Sequence, residues 1–567
     1  MPWYSTPDVS GSWRHWAVNE GHIPKRFWHD PERRDKNGWR DIASVFHPAI
    51  GPYDSADPPL CEYHILLARL AGIDAFVADW YGPQSYEDKA FSMMRRVAGE
   101  IGGFKVMICW EDQACFPPYA SVRSRSEALE EAMKNLRFLN ETWFSSAAYL
   151  RIAGRPVLTN FAWNDPGSDM TKAWAATEWD SILAQAKHRP VFIHDWQSHR
   201  KVNEFESYES VMPWGSTYHM ENDAPEFWNS ADASRGKGRF SFRSGTVLPG
   251  FDNRGVGGWG SQGAIGVTPF GDGRKLQATF DACLSRHPQF VQIATWNDFN
   301  EGATIEPVRI GVAIPSYPQA GYGYRMLDIV QHNAGLLKNA TFDSAALRIP
   351  AWIYACRKRA AATGDSAAGS RIDAVRTLLL VGKTAEARTT IEEIYNSFPA
   401  KLVTNRDLAA YVEPVDRGAV VDVGWVAEWN VNDCLWRFQK DFEDDQRPPH
   451  PGRQWIIGLH PNSKDKPCLL TRAFKPRRDS RLTLSASSTT ARPNVADFAL
   501  RVKIDGKVVH EEVISAGPKP SRHGWKNVSV ALGKFAGQEI ELAIECASGG
   551  KDPWNHEHAF LADVRVR

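Results

Sequence analysis

The chain has 567 residues, enough for roughly two to four domains, and its 67 basic side chains balance 67 acidic ones, so the net charge is zero. That balance excludes the basic footprint of a nucleic-acid binder or a polybasic membrane anchor. No apolar run approaches the ~20 residues needed to span a bilayer as a helix.

Met1 to Pro59 is loop-rich, with Trp3, Tyr4, Trp13, His15, Trp16, Trp28 and Trp39 set among glycines, prolines and charges. The first helix is predicted over 59–71: Leu60, Tyr63, Leu67 and Leu70 make one apolar stripe, and Gly72 ends it. A strand follows over 75–79 and closes in Asp79-Trp80-Tyr81-Gly82. Further strands are predicted over 105–110, opening into Glu111-Asp112, then over 156–161, 190–196, 210–214 and 245–248. Helices are predicted through 91–100, 124–140, 174–187 and 276–286. Strand–helix alternation means a parallel sheet with crossover helices.

The stretch Val291-Gln292-Ile293-Ala294-Thr295-Trp296-Asn297-Asp298-Phe299-Asn300-Glu301-Gly302 carries the chemistry. It opens as a buried strand, with Val291, Ile293 and Ala294 apolar, and empties into a polar turn bearing Asp298 and Glu301. Barrel enzymes keep their catalytic groups at the carboxyl ends of such strands. Two carboxylates there suit glycosidic bond cleavage, where one protonates the leaving oxygen and the other acts as base or nucleophile. The competing account is a solvated turn in which both acids are capping groups.

Counted from Ala75 there are seven strands, and a (β/α)8 barrel needs eight. The missing strand is expected just ahead of Trp3-Tyr4, with the first strand truncated. An export signal would then precede it, making the protein secreted or periplasmic. Met1-Pro2-Trp3-Tyr4 itself has no signal-peptide character. The predicted organisation is a (β/α)8 barrel over 1–335, a helical linker or hairpin over 336–420 and a β-sandwich over 421–567. The helical part rests on segments 351–362, 372–381 and 384–398. The sandwich rests on short alternating segments over 481–485, 498–504, 508–514, 528–532, 540–546 and 560–566.

The chain has 23 tryptophans. Most are expected in the core. Trp offers a flat apolar face for pyranose C–H groups, so one or two of Trp425, Trp429, Trp436, Trp455, Trp525 and Trp554 would give the sandwich a sugar-binding surface. The eight cysteines show no zinc spacing, and one pair among Cys434, Cys468 and Cys546 would bridge in an exported protein. His194 and Asp195 stand near a strand end without a third ligand, so neither metal nor cofactor is expected. Asp252 is expected to form a loop, and Glu306 to be structural.

Several motifs carry a resemblance when taken together. They are Pro2-Trp3-Tyr4, Trp13-Arg14-His15-Trp16, Gly51-Pro52-Tyr53-Asp54-Ser55-Ala56-Asp57-Pro58, Asp79-Trp80-Tyr81-Gly82, Pro249-Gly250-Phe251-Asp252 and Asn297-Asp298-Phe299-Asn300-Glu301-Gly302. Over about residues 1–330 the chain resembles glycoside hydrolase family 99, endo-acting α-mannosidases and mannanases on a (β/α)8 barrel. The family motif N-E-W-x-E-G puts Glu301 on the general acid. It puts Asp298 on the carboxylate that deprotonates the substrate's own 2-hydroxyl to give a 1,2-anhydro sugar, with Asp in place of Glu. The resemblance implies an oligo- or polysaccharide substrate. It supports Glu111 as a group accepting hydrogen bonds from sugar hydroxyls, Asp79 as an anchor, Tyr81 as a stacking ring, and Tyr53 and Trp16 as groups near the reaction subsite. For each of these the alternative is a packing or salt-bridge role. The form Trp296-Asn297-Asp298-x-x-Glu301 also looks like the motif of family 71, the α-1,3-glucanases. A barrel that binds glycan without cleaving it is the remaining alternative.

Overall fold

A computed structural model describes residues 1–18, 25–34, 39–162, 174–195, 209–212, 242–260, 265–268, 270, 273–309, 321–398, 429–432, 434–439, 456–461, 466–488, 497–515, 524–549 and 559–566. Trp196, Trp425, Trp455, Trp554 and part of the predicted 210–214 strand lie outside these residues.

Five parallel strands pair in chain order: β1 (Ala75–Trp80), β2 (Lys105–Glu111), β3 (Arg155–Phe161), β4 (Val191–Asp195) and β5 (Ser210–Met212). Two more, β6 (Ser244–Val247) and β7 (Phe290–Ile293), form a parallel pair. The helices α1 (Pro58–Leu70), α2 (Tyr86–Ile101), α3 (Arg125–Phe138), α4 (Ala176–Leu183) and α5 (Arg274–Leu284) precede or connect these strands, and α6 (Arg325–Lys338) follows them. Each segment matches the predicted alternation to within a few residues.

Local chemistry explains the boundaries. Helix α1 starts on Pro58, where a missing N–H costs nothing. It buries Leu60, Tyr63 and Leu67 and ends at Gly72. That glycine has φ +81°, and a Cβ there would lie 2.7 Å from the Ala334 Cβ of α6. The α2 cap is Ser85, whose hydroxyl accepts the Asp88 N–H at 3.0 Å. Asp88 in turn accepts the Trp80 and Trp143 indole N–H groups, both at 2.9 Å. Trp80 and Trp143 thereby pack between sheet and helices with their indole N–H groups satisfied.

Side by side with β5, β6 places Ser244 Oγ 2.7 Å from Ser210 Oγ. Among the described residues, however, no backbone ladder joins β5 to β6 or β1 to β7. No strand forms ahead of Trp3 there either. An apolar cavity of about 360 Å³ lies between β1 and β7, lined by Val77, Phe290 and Val291, with Met1 and Pro2 also against it.

The segment after α6 is a three-helix unit of α7 (Ile349–Thr363), α8 (Ser366–Leu380) and α9 (Thr384–Ser397). Ile353, Ile372, Val375, Ile391 and Ile394 bury one another and reach Leu66 of α1. Glu62 of α1 binds Arg357 and Arg376, both at 2.8 Å.

Among the described residues, the C-terminal part forms two five-stranded antiparallel sheets. One orders Asn430–Asn432, Cys468–Phe474, Ile540–Ser548, Asp497–Ile504 and Lys507–Ser515; the other orders Cys434–Gln439, Ile456–Pro461, Ala559–Val566, Arg481–Ser488 and Lys526–Ala531. Alternate residues point inward, so Leu470, Leu500 and Leu542 of the first share one buried cluster with Leu459, Leu482 and Leu561 of the second. Cys468 and Cys546 stand directly opposite on neighbouring strands, both buried.

Candidate active site

Strand β7 hands over to the acid-bearing turn. Asn297–Asp298 pairs antiparallel with Ala303–Thr304, which folds residues 297–304 into a small hairpin. Inside it the Thr295 hydroxyl accepts the Asp298 N–H at 2.9 Å, and Asp298 Oδ1 accepts the Glu301 N–H at 3.0 Å. The Tyr4 hydroxyl accepts the Phe299 and Asn300 N–H groups at 2.8 and 3.1 Å. The Asn300 amide donates to the carbonyls of His15 and Ala43, both at 2.8 Å. A loop carrying two acids is thus rigid because the N-terminal segment satisfies its backbone.

Residues 251–260 clamp the turn from the other side. The Asp252 N–H donates to the Glu301 carbonyl at 2.7 Å. The Asp252 side chain is fully buried against Arg254, with Nε to Oδ1 at 2.8 Å and Nη2 to Oδ2 at 2.6 Å. Asp252 therefore shapes the loop, as predicted. The Trp259 indole donates to Glu301 Oε1 at 2.9 Å.

Asp298 is buried and Glu301 half-buried. Burial raises the Asp298 carboxyl to about 6, against the Glu301 N–H and the Met1 ammonium, which favour its charged form. Burial, then the Asp298 charge, raises Glu301 to about 8, against the Trp259 hydrogen bond. Near neutral pH Asp298 is charged and Glu301 protonated. Unequal environments splitting two carboxyls in this way is how one site holds a base and an acid together.

A second carboxyl pair closes β1 and β2. Asp79 and Glu111 are both buried, at the ends of neighbouring strands. Burial raises Asp79 to about 7. Burial and the Asp79 charge raise Glu111 well above the usual carboxylate range. Gln113 links this pair outward, donating to Glu111 Oε2 at 3.0 Å and to the Tyr81 hydroxyl at 3.4 Å. Tyr81 is half-buried and lies 5.0 Å, centroid to centroid, from the exposed ring of Tyr119.

Tyr53 and Trp16 lie behind the acid-bearing turn. Both are buried, Trp16 fully. The Trp16 indole donates to the Tyr53 carbonyl at 2.7 Å, and its ring stacks on Tyr4 at 4.1 Å. The Tyr53 hydroxyl donates to Glu306 at 2.7 Å and accepts from Asn297 at 3.0 Å. These two form the wall behind the turn. Their rings lie against Tyr4 and against Phe299 of the turn. Glu306 is fully buried and also 3.2 Å from His64, matching its predicted structural part. His194 is buried with Nδ1 2.8 Å from Asn160 Oδ1. No metal-binding cluster of His, Cys, Asp and Glu occurs among the described residues.

Parallel strands joined by crossover helices, with buried acids at the strand ends, define an α/β protein. The chain belongs to glycosyl hydrolase family 99, whose family model matches residues 1–328. A mouse glycoprotein endo-alpha-1,2-mannosidase is 22% identical over 320 residues, covering 54% of this chain and 66% of that protein. A zebrafish glycoprotein endo-alpha-1,2-mannosidase-like protein is 21% identical over 327 residues, covering 54% of this chain and 69% of that one. The match thus spans just under two thirds of the mouse relative. Among solved structures, a GH99 endo-alpha-mannosidase from Bacteroides thetaiotaomicron has a TM-score of 0.47 at 19% identity, covering 60% of this chain and 96% of that one.

Proposed function

We propose that the protein hydrolyses an α-mannosidic linkage inside a glycan, with Glu301 as general acid and Asp298 as its carboxylate partner. The observation that carries this is geometric: Asp298 and Glu301 stand on one turn, with Asp298 Oδ1 accepting the Glu301 N–H, in surroundings that raise both carboxyls. Glu301 holds a proton for the leaving oxygen. Asp298 holds a charge able to take a proton from the substrate's 2-hydroxyl. Glu111 and Asp79 offer carboxyl oxygens to sugar hydroxyls, and Tyr81 offers a half-exposed ring. Tyr53 and Trp16 act by holding the turn. The two β7-side and β1-side sheets are proposed as parts of one (β/α)8 barrel over 1–335, with the three-helix unit over 336–420. The paired C-terminal sheets, 421–567, are proposed as a β-sandwich that binds glycan.

Incubation with an α-1,2-linked manno-oligosaccharide, with products read by NMR, tests the assignment. Asp298→Asn and Glu301→Gln should each lower turnover on the order of 100- to 10,000-fold. Wild-type turnover in either variant overturns the roles. A second reading, an α-1,3-glucan hydrolase, is favoured by Asp at 298, one methylene shorter than the family's Glu. An α-1,3-glucan in the same panel separates the two. Glycan binding without turnover by either substrate would make the barrel a recognition module.

A further inference from the structure

Trp259 was not among the residues singled out from the sequence, and the Asp298–Glu301 mechanism does not need it. Its backbone is nevertheless unusual. Gly257, Gly258 and Trp259 are consecutive left-handed residues, with φ of +58°, +61° and +55°. A bulky L-residue is strained there, because its Cβ crowds the following carbonyl. Such strain persists only where the surroundings hold it, and it concentrates at functional sites.

The surroundings do hold it. A Cβ on Gly257 would lie 2.3 Å from the Phe27 ring, and one on Gly255 would lie 2.8 Å from the Ser44 Cα. The loop is pinned at its base by the buried Asp252–Arg254 pair. The outcome of this turn is that the half-buried Trp259 side chain points its indole N–H at Glu301 Oε1, 2.9 Å away.

We infer that Trp259 is a positioning residue that selects which oxygen of Glu301 carries the catalytic proton. An indole N–H only donates, so the oxygen facing it must accept. The proton is thereby directed to Oε2, the oxygen left for the glycosidic bond. After Glu301 gives its proton to the leaving oxygen, the same N–H stabilises the carboxylate that remains. This opposes burial and the Asp298 charge, which otherwise raise the acid. The inference rests on Glu301 being the general acid, and its test is arranged so that the two fail separately.

The direct test follows the Trp259 indole ¹H–¹⁵N signal by NMR across pH 5 to 10. It should titrate with Glu301 in the wild type and lose that titration in Glu301→Gln. A flat signal in the wild type overturns the inference without reference to activity. The kinetic test is Trp259→Phe, which keeps the ring and removes the donor. With Glu301 as acid, kcat should fall roughly 10- to 100-fold, since a misplaced catalytic group by about 1 Å costs on that order. KM should change much less, and the basic limb of the kcat profile should move upward. An unmoved limb with unchanged kcat overturns the positioning role. A wild type that titrates as expected but cleaves no glycan removes the general-acid assignment and leaves the hydrogen bond standing.

Discussion

Replacing Gly302 by alanine tests whether the acid-bearing turn is held by backbone contact. Gly302 has φ +62°, and a Cβ there would meet the Asp252 carbonyl oxygen at 2.8 Å and the Asp252 N at 3.2 Å. The left-handed conformation costs an L-residue roughly 1–2 kcal/mol. The contact is with backbone that cannot swing aside, and overpacking of this kind adds about 1–3 kcal/mol. The sum is about 2–5 kcal/mol. Gly154 supplies the control: its φ is +78° and a Cβ there meets nothing within 4 Å. Gly154→Ala should lose only the first part. For a unit of about 330 residues the melting point should fall roughly 3–7 °C for Gly302→Ala and roughly 1–3 °C for Gly154→Ala. Calorimetry must resolve the α/β transition from the C-terminal ones, because a chain of several units does not unfold in one step. Turnover should fall with Gly302→Ala alone, since the clash pushes on the Asp252 N–H that holds the Glu301 carbonyl. Equal losses of stability in the two variants would refute the close approach.

The pH dependence of kcat/KM should be bell-shaped. Activity requires Asp298 charged, above about 6, and Glu301 protonated, below about 8; a plateau continuing past pH 9 would contradict the assignment. Burial raises Asp79 in the folded state from the ordinary aspartate range to about 7. Its contribution is therefore fully present below its unfolded value and lost as pH rises toward 7, by at most about 4 kcal/mol. Asp79→Asn should flatten the loss of urea stability between pH 4.5 and 8, and a variant that keeps the whole wild-type loss would sink this account.

Periodicity made the elements legible, and spacing made the acids legible. Helix α1 follows from Leu60, Tyr63 and Leu67 on one stripe; β7 follows from an apolar run that stops at a polar turn. Asp298 and Glu301 stand out because an apolar run leads straight into them, although Val291 and Ile293 prove only half-buried. What the sequence hid is what the third dimension decides. Trp16 and Tyr53 lie among glycines and prolines, as exposed loop aromatics do, yet they are packed against Tyr4 and Phe299. Tyr4 stands 295 positions from the N–H it accepts, a separation no local pattern reveals. Trp259 reaches Glu301 only through three left-handed residues, which propensity would not assign to a tryptophan. The glycines at 255, 257 and 258 were the available signal, since a glycine-rich run licenses such a turn.

Asp298 first invited two explanations, a capping group or a catalytic one, and the hydrogen bonds show that these are not rivals. Its Oδ1 accepts the Glu301 N–H three residues on, which is a short carboxylate closing its own turn. A carboxylate has a second oxygen and further lone pairs, so closing the turn leaves Oδ2 for a substrate proton. The same bond fixes the spacing between the two acids, because the atom that Asp298 holds is the backbone nitrogen of Glu301. A glutamate in this place would carry its carboxylate one methylene further from that nitrogen. The shorter arm at 298 therefore suits a turn in which Asp298 anchors the Glu301 backbone directly.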